Sequence, residues 1–341
     1  MAETSSRVDW VDYSKGICII LVVFMHSTLG VENALGARSW LHGFIEWARP
    51  FRMPDFFMLS GLFLASRIDR PWRAYLDAKL LHFAYFYVLW MTIQFVLKAP
   101  SLYSGSTRAE IMSAYAWGFI DPFATLWFIY LLAVFFLLVK ALRWAPPAAI
   151  FLAGAVLESL PVETGYVLLD EFAARFVYFY SGYLFASRIF AFAGMVASAS
   201  PAALVPAWMA WAVLNGWLVK EGAATLPLVS LALGFAGSAA VITAGVLLLR
   251  SRWAKALRYC GENSIVIYLA FVLFMAPSRI LLIKSGLIAD PGIVALIVTA
   301  AGVIGPLILF SITRSTPLRF LFIRPAMFRL TPLSKGRFAT S

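Results

Sequence analysis

The sequence predicts an all-α fold, a polytopic transmembrane helical bundle of about ten spans with both termini cytoplasmic. Three observations carry that prediction. Hydrophobic residues make up 62% of the chain and charged residues only 13%, whereas a soluble domain carries roughly 25% charged residues. Uncharged apolar runs recur along all 341 residues, and a bilayer's hydrocarbon takes roughly 20 apolar residues per helix. Basic residues, finally, gather in alternate connections, the pattern that sets orientation.

In chain order the spans are placed near 16–31, 44–66, 80–97, 123–142, 146–160, 172–190, 202–219, 226–249, 264–283 and 292–313. Residues 1–14 are polar, carry Asp9 and Asp12, and lead into the first run without a small-residue cleavage pattern, so that span is expected to be kept. The second span contains RPFRMPDFFMLSG. There Pro54 removes a backbone donor and Gly61 loosens the helix, so a break is expected. Residues 1–341 read as a single integral membrane domain, and 314–341 as a basic cytoplasmic tail. The alternation of Arg with Phe, Ile and Leu in RFLFIRPAMFRL suits a segment lying on the inner leaflet. No internal repeat is visible, which counts against the inverted-repeat transporters.

With the N-terminus inside, the cytoplasmic connections collect Lys15, Arg67, Arg70, Arg73, Lys79, Lys140, Arg143, Arg250, Arg258 and the basic tail, while Glu158, Asp170, Glu221 and Asp290 fall on the other side. The net charge of +11 is then a topology signal and an attraction for anionic lipid headgroups, and it implies no nucleic acid. Cys18 and Cys260 are two cysteines near span ends, too few for a disulfide framework or a thiolate metal cage. Neither a zinc motif nor a glycine-rich phosphate loop is present.

The first span, DYSKGICIILVVFMHS, sets the functional question. Eleven helical residues advance 1100°, so Lys15 and His26 lie about 20° apart on one stripe, with Asp12 near it. The rise lifts His26 roughly 15 to 17 Å above Lys15. One face thus offers a cation at the cytoplasmic mouth and a titratable imidazole deep inside. A histidine there can simply bond a neighbouring helix, yet ionisable groups at depth usually mark a pathway or a reaction site.

VDYSKGICIILVVFMH resembles the first span of the acyltransferase 3 family of integral membrane O-acyltransferases. Further resemblances follow in the family's order: FRMPDFFMLSGLFL, TLWFIYLL, FYSGYLF and GENSIVIYL. Two departures stand out. Lys15 occupies the usual arginine position and loses the planar fork that grips an anion at two points. Phe271 stands where many members have histidine, which removes any mechanism needing two histidines. The resemblance implies transfer of acyl groups to sugars or related hydroxyl compounds at a bacterial inner membrane, with Trp127 and Tyr268 lining the cavity.

Acyl transfer to a hydroxyl needs a base, positive charge for the developing oxyanion, and a grip on the thioester. His26 is the base candidate, since His42 and His82 fall near span ends. Arg49, Arg52 and Asp55 follow at three-residue spacing in the second span, and Arg52 with Asp55 as its neighbour is the expected oxyanion and acceptor pair. The donor, an acyl-CoA such as acetyl-CoA, is expected as a co-substrate rather than a resident cofactor, its phosphates resting near Lys15 and Asp12 and on the basic loop of Arg67, Arg70 and Arg73 or that of Arg250, Arg252, Lys255 and Arg258. Ser60 lacks a nucleophile-elbow pattern and reads as a packing or cavity residue. Glu262, Asn263 and Ser264 read as a helix start. The competing class is a transporter or lipid-linked glycan flippase, in which Arg52, Asp55 and His26 would line a path.

Overall fold

The computed structural model describes residues 8–330. Every regular element there is helical, as a backbone that must satisfy its own polar groups in hydrocarbon requires. In order these are α1 (Asp9–Leu35), α2 (His42–Gly61), α3 (Trp72–Leu76), a π-helical turn (Asp77–Leu81), α4 (His82–Leu102), α5 (Arg108–Trp117) and α6 (Trp127–Ala141). Then follow α7 (Pro147–Ser159), α8 (Val167–Leu184), α9 (Ala186–Ser198), α10 (Pro201–Lys220) and α11 (Val229–Leu248). The chain closes with α12 (Lys255–Glu262), α13 (Ser264–Ser285), α14 (Pro291–Thr313) and two short 3₁₀ turns, Pro317–Leu321 and Ala326–Phe328.

Among the described residues seven helical stretches are long and apolar enough to cross a membrane: Asp9–Leu35, Trp72–Pro100, Ala124–Ala141, Pro201–Lys220, Val229–Leu248, Ser264–Ser285 and Pro291–Thr313. The other three expected spans are helices too, but α2 and α8 carry charged residues and α7 has only 13. The run expected at 172–190 divides at Phe185, where α8 ends and α9 begins.

α1 is the central column, packed against α2, α11, α12, α13 and α14. Glycines set the closest approaches, because lipid offers helices no hydrophobic drive to associate and contact must come from fit. At the α2–α8 crossing a Cβ on Gly61 would strike the Phe179 carbonyl, and one on Gly182 would strike the Met58 carbonyl. Gly16 and Gly261 make the same kind of reciprocal contact between α1 and α12, against the Leu257 and Asp12 carbonyls.

The expected break at Pro54 does not occur. α2 continues through both Pro50 and Pro54 to Gly61, with Asp55 to Leu59 fully buried against its neighbours. Packing from α8, α11 and α1 holds the rod straight enough to keep its helical path, and the chain turns only beyond Gly61. The turn that follows is clamped by Lys140 of α6, whose ammonium donates to the Ile68 and Arg70 carbonyls at 2.6 and 2.7 Å.

In the segment after α14, Arg314 and Arg319 are exposed, while Arg324 turns inward to Asp77 at the head of the π turn. Residues 331–341 of the expected tail lie outside the described residues. Cys18 and Cys260 are both buried free thiols.

Candidate functional site

A cavity of about 690 Å³ opens at the end of the bundle that holds Lys15. Its wall is assembled from segments far apart in sequence. α1 supplies Asp12 and Lys15, α2 supplies Ser60, the turn after α2 supplies Arg67, the π turn supplies Lys79, and α4 supplies His82. Aromatic rings floor it, and two of them hold the cations: Lys79 Nζ lies 3.9 Å from the Phe136 ring centroid and Lys15 Nζ lies 5.8 Å from that of Phe63. An ammonium group over a ring face gains a favourable electrostatic contact with it.

The π turn decides what faces this space. Inserting a residue into the helical path rotates everything beyond it, and such turns often sit at functional sites. Here Lys79 and His82 both reach the cavity wall. His82, expected near a span end, thus belongs to the chamber, packed edge-on to Phe83 and Phe86.

At the mouth, Glu262, Asn263 and Ser264 line the wall. Asn263 does not cap α13; its side-chain amide donates back to the Tyr259 carbonyl at 2.9 Å. Arg258 bridges Asp9 at 2.8 Å and Glu262 at 3.3 Å. The Asp9 carboxylate holds the Arg258 guanidinium above its usual range, so that arginine stays charged at any relevant pH.

His26 is not on the cavity wall. Its ring stacks obliquely on Phe271, centroids 5.4 Å apart, and makes no hydrogen bond among the described residues. The position where many acyltransferase 3 members have histidine therefore faces His26 directly. A run of ring contacts joins the two regions: Phe271 to Tyr268 at 6.5 Å, Tyr268 to Phe128 at 5.3 Å, and Phe128 lies on the cavity wall. The charged groups that act on His26 are Arg52 and Lys98.

Arg52 and Asp55 do not pair. Arg52 leaves Nε and Nη1 buried without a hydrogen-bond partner among the described residues, and the charges around it are Arg49, Arg175, Glu46 and Glu171. Asp55 points elsewhere, into a small void with Met58, Ser238 and Val241 that leaves no room for water, with Ser238 the polar side chain beside it. Ser238 gives its hydroxyl hydrogen to the Gly234 carbonyl at 2.8 Å. Asp55 faces α11 through Ser238 and Val241, whereas the charges near Arg52 include Arg175 and Glu171 of α8.

The remaining expected residues divide. Ser60 lines the cavity while donating to the Phe56 carbonyl at 2.7 Å. Trp127 and Tyr268 stand behind the wall: Tyr268 donates to the Thr125 carbonyl, and Trp127 packs on Phe57. Arg70 and Arg73 are exposed and off the wall, and Arg67 takes the inward place. His42, expected at an interface, is bound to Glu32 at 2.8 Å, whose other oxygen takes the Ser39 amide and hydroxyl. Arg67, expected on the donor loop, lines the wall, while Lys79 and His82 are the wall residues that sequence reasoning passed over. The spacing of Lys79 and His82, three apart in DAKLLH, was the available signal.

Fold and chamber together define a helical membrane protein with a cavity lined by Lys15, Arg67 and Lys79 at one end and a half-buried histidine beyond it. The acyltransferase domain family matches residues 8–311, and the chain belongs to that acyltransferase 3 family. It is similar to the inner membrane protein YcfT of Escherichia coli K12, 29% identical over 155 residues, which cover 38% of this chain and 43% of that protein. The match thus spans less than half the length of this relative. No solved structure matches.

Proposed function

We propose that this protein is an O-acyltransferase of the bacterial inner membrane, moving an acyl group, acetyl in the first instance, from acyl-CoA to a hydroxyl of a glycan or related envelope acceptor. In this reading both termini are cytoplasmic, and the shorter and more polar helices α2, α7 and α8 complete about ten spans. The observation that carries the reading is the chamber with Lys15, Arg67 and Lys79 on its wall, joined by Phe128, Tyr268 and Phe271 to His26.

The phosphates of acyl-CoA would rest against these cations, each a charge-assisted contact. The acyl end would pass the rings toward His26, which takes the hydroxyl proton as the oxygen attacks the thioester carbon. Arg52, with its unused donors, is suited to steady the oxyanion. The C–S bond then breaks, the thiolate leaves with CoA, and the proton on His26 returns to the sulfur. Asp55, turned to α11, has no direct part in this scheme.

A second reading makes His82 the base, since His82 lines the chamber and His26 does not. Transfer from labelled acetyl-CoA by purified protein, its His26→Ala variant and its His82→Ala variant separates the two. Loss confined to one variant identifies the base. No transfer by the unaltered protein, with substrate flux in vesicles lacking acyl-CoA, would point instead to transport.

A further inference from the structure

The segment after α14 lies beyond the family match, which ends at residue 311, yet it builds part of the chamber. Phe322 is on the wall and stacks near Trp90, centroids 5.4 Å apart. Trp90 Nε1 donates to the Leu321 carbonyl and the Tyr85 hydroxyl to the Phe320 carbonyl, both at 2.9 Å, so α4 holds the segment at two successive points. Phe328 then closes on the Tyr85 ring at 5.2 Å.

The firmest hold is on the π turn. Arg324 is buried, 7% exposed, and grips Asp77 twice: Nη1 donates to the backbone carbonyl at 2.8 Å and Nη2 to Oδ1 at 2.9 Å. The Leu330 amide adds a third bond to Asp77, the second on Oδ1, at 2.9 Å, and Arg329 ties back to the Arg324 carbonyl at 3.3 Å. Asp77 opens the turn, Lys79 lies two residues on and His82 directly follows it. A widened turn has no intrinsic preference to persist in one place. A bidentate guanidinium on its first residue supplies the missing constraint.

We infer that residues 317–330 are a strap that completes the donor chamber, and that Arg324 is a positioning residue which, through Asp77, keeps Lys79 aimed at the phosphates of acyl-CoA. This rests on the donor site proposed above. The strap acts at one remove: Arg324 touches no substrate, and its effect passes through the register of the π turn.

The test measures coenzyme A binding to the purified full chain, which needs no acceptor and no turnover, in a cycle of Arg324→Gln, Lys79→Met and both. Expected are about tenfold weaker binding for each single variant and little further loss in the double, since Arg324 works through Lys79. Arg324→Lys, which keeps the charge but not the planar two-point fork, should recover part of the affinity. Additive losses, or an Arg324→Gln variant that binds like the parent, overturn the strap's role. Should Arg324→Gln fail to fold, Phe322→Ala leaves the ion pair intact and removes wall contact; unchanged binding there counts against the proposal. No binding by the unaltered protein overturns the donor site itself, a result distinct from the others.

Discussion

Replacing His26 by alanine separates the catalytic reading from a structural one, because the surroundings of the ring make the two consequences unequal. The imidazole has no hydrogen bond among the described residues, so its removal orphans no buried partner. What is lost is the oblique contact with Phe271, an interaction of about 0.5 to 1.5 kcal/mol, together with a modest loss of packing at a partly exposed position. A general base contributes roughly 10² to 10⁴ in rate, about 3 to 5 kcal/mol of barrier. The variant should therefore fold, show a thermal midpoint within a few degrees of the parent, and bind acyl-CoA with unchanged affinity, since the ring is off the cavity wall. Acyl transfer from labelled acetyl-CoA should fall at least 100-fold. Transfer above half the parental rate, in protein with normal binding, would refute the assignment of His26 as base.

Other perturbations test separate parts of the structure. Lys15→Gln and Lys79→Gln each remove a charged donor from the chamber, a contact of about 1.5 to 3 kcal/mol; the KM for acyl-CoA should rise about 10- to 100-fold with a smaller change in kcat, and the KM of the parent should rise with salt. Gly182→Val places a branched side chain against the Met58 carbonyl at the α2–α8 crossing and should destabilise by about 1 to 3 kcal/mol or more, read as a lowered thermal midpoint in detergent. Lys140→Met strips the donor from the buried Ile68 carbonyl, about 1 to 3 kcal/mol, and should expose the turn after α2 to trypsin at Arg67 and Arg70. Phe271→His sets a second imidazole against His26 and should shift the pH profile of acyl transfer, whereas Phe271→Leu should leave the profile's shape unchanged.

Much of this architecture can be read from hydropathy, since each apolar run long enough for a bilayer has only helix available to it. All ten expected spans fall on helices, and the stripe from Lys15 toward His26 follows from α1 being unbroken from Asp9 to Leu35. Pro54 misled because proline reports only the loss of one bond, while neighbours on every side of α2 decide whether the rod bends. Arg52 and Asp55 misled for a related reason: three-residue spacing permits a pair, but packing turned Asp55 toward α11 and left Arg52 without it.

The sequence by itself determined the class of protein, the helices and the place of His26 eleven residues along α1 from Lys15, because these depend on local composition and on the fixed rise of an α-helix. Only tertiary structure decided which cations share a chamber, that Arg67 and Lys79 rather than Arg70 and Arg73 face it, and that Arg324 reaches Asp77 across the whole chain. Those outcomes turn on where glycines let helices touch, on one widened turn and on a strap folded back from the far end. Such fits between distant segments leave no mark in hydropathy or spacing.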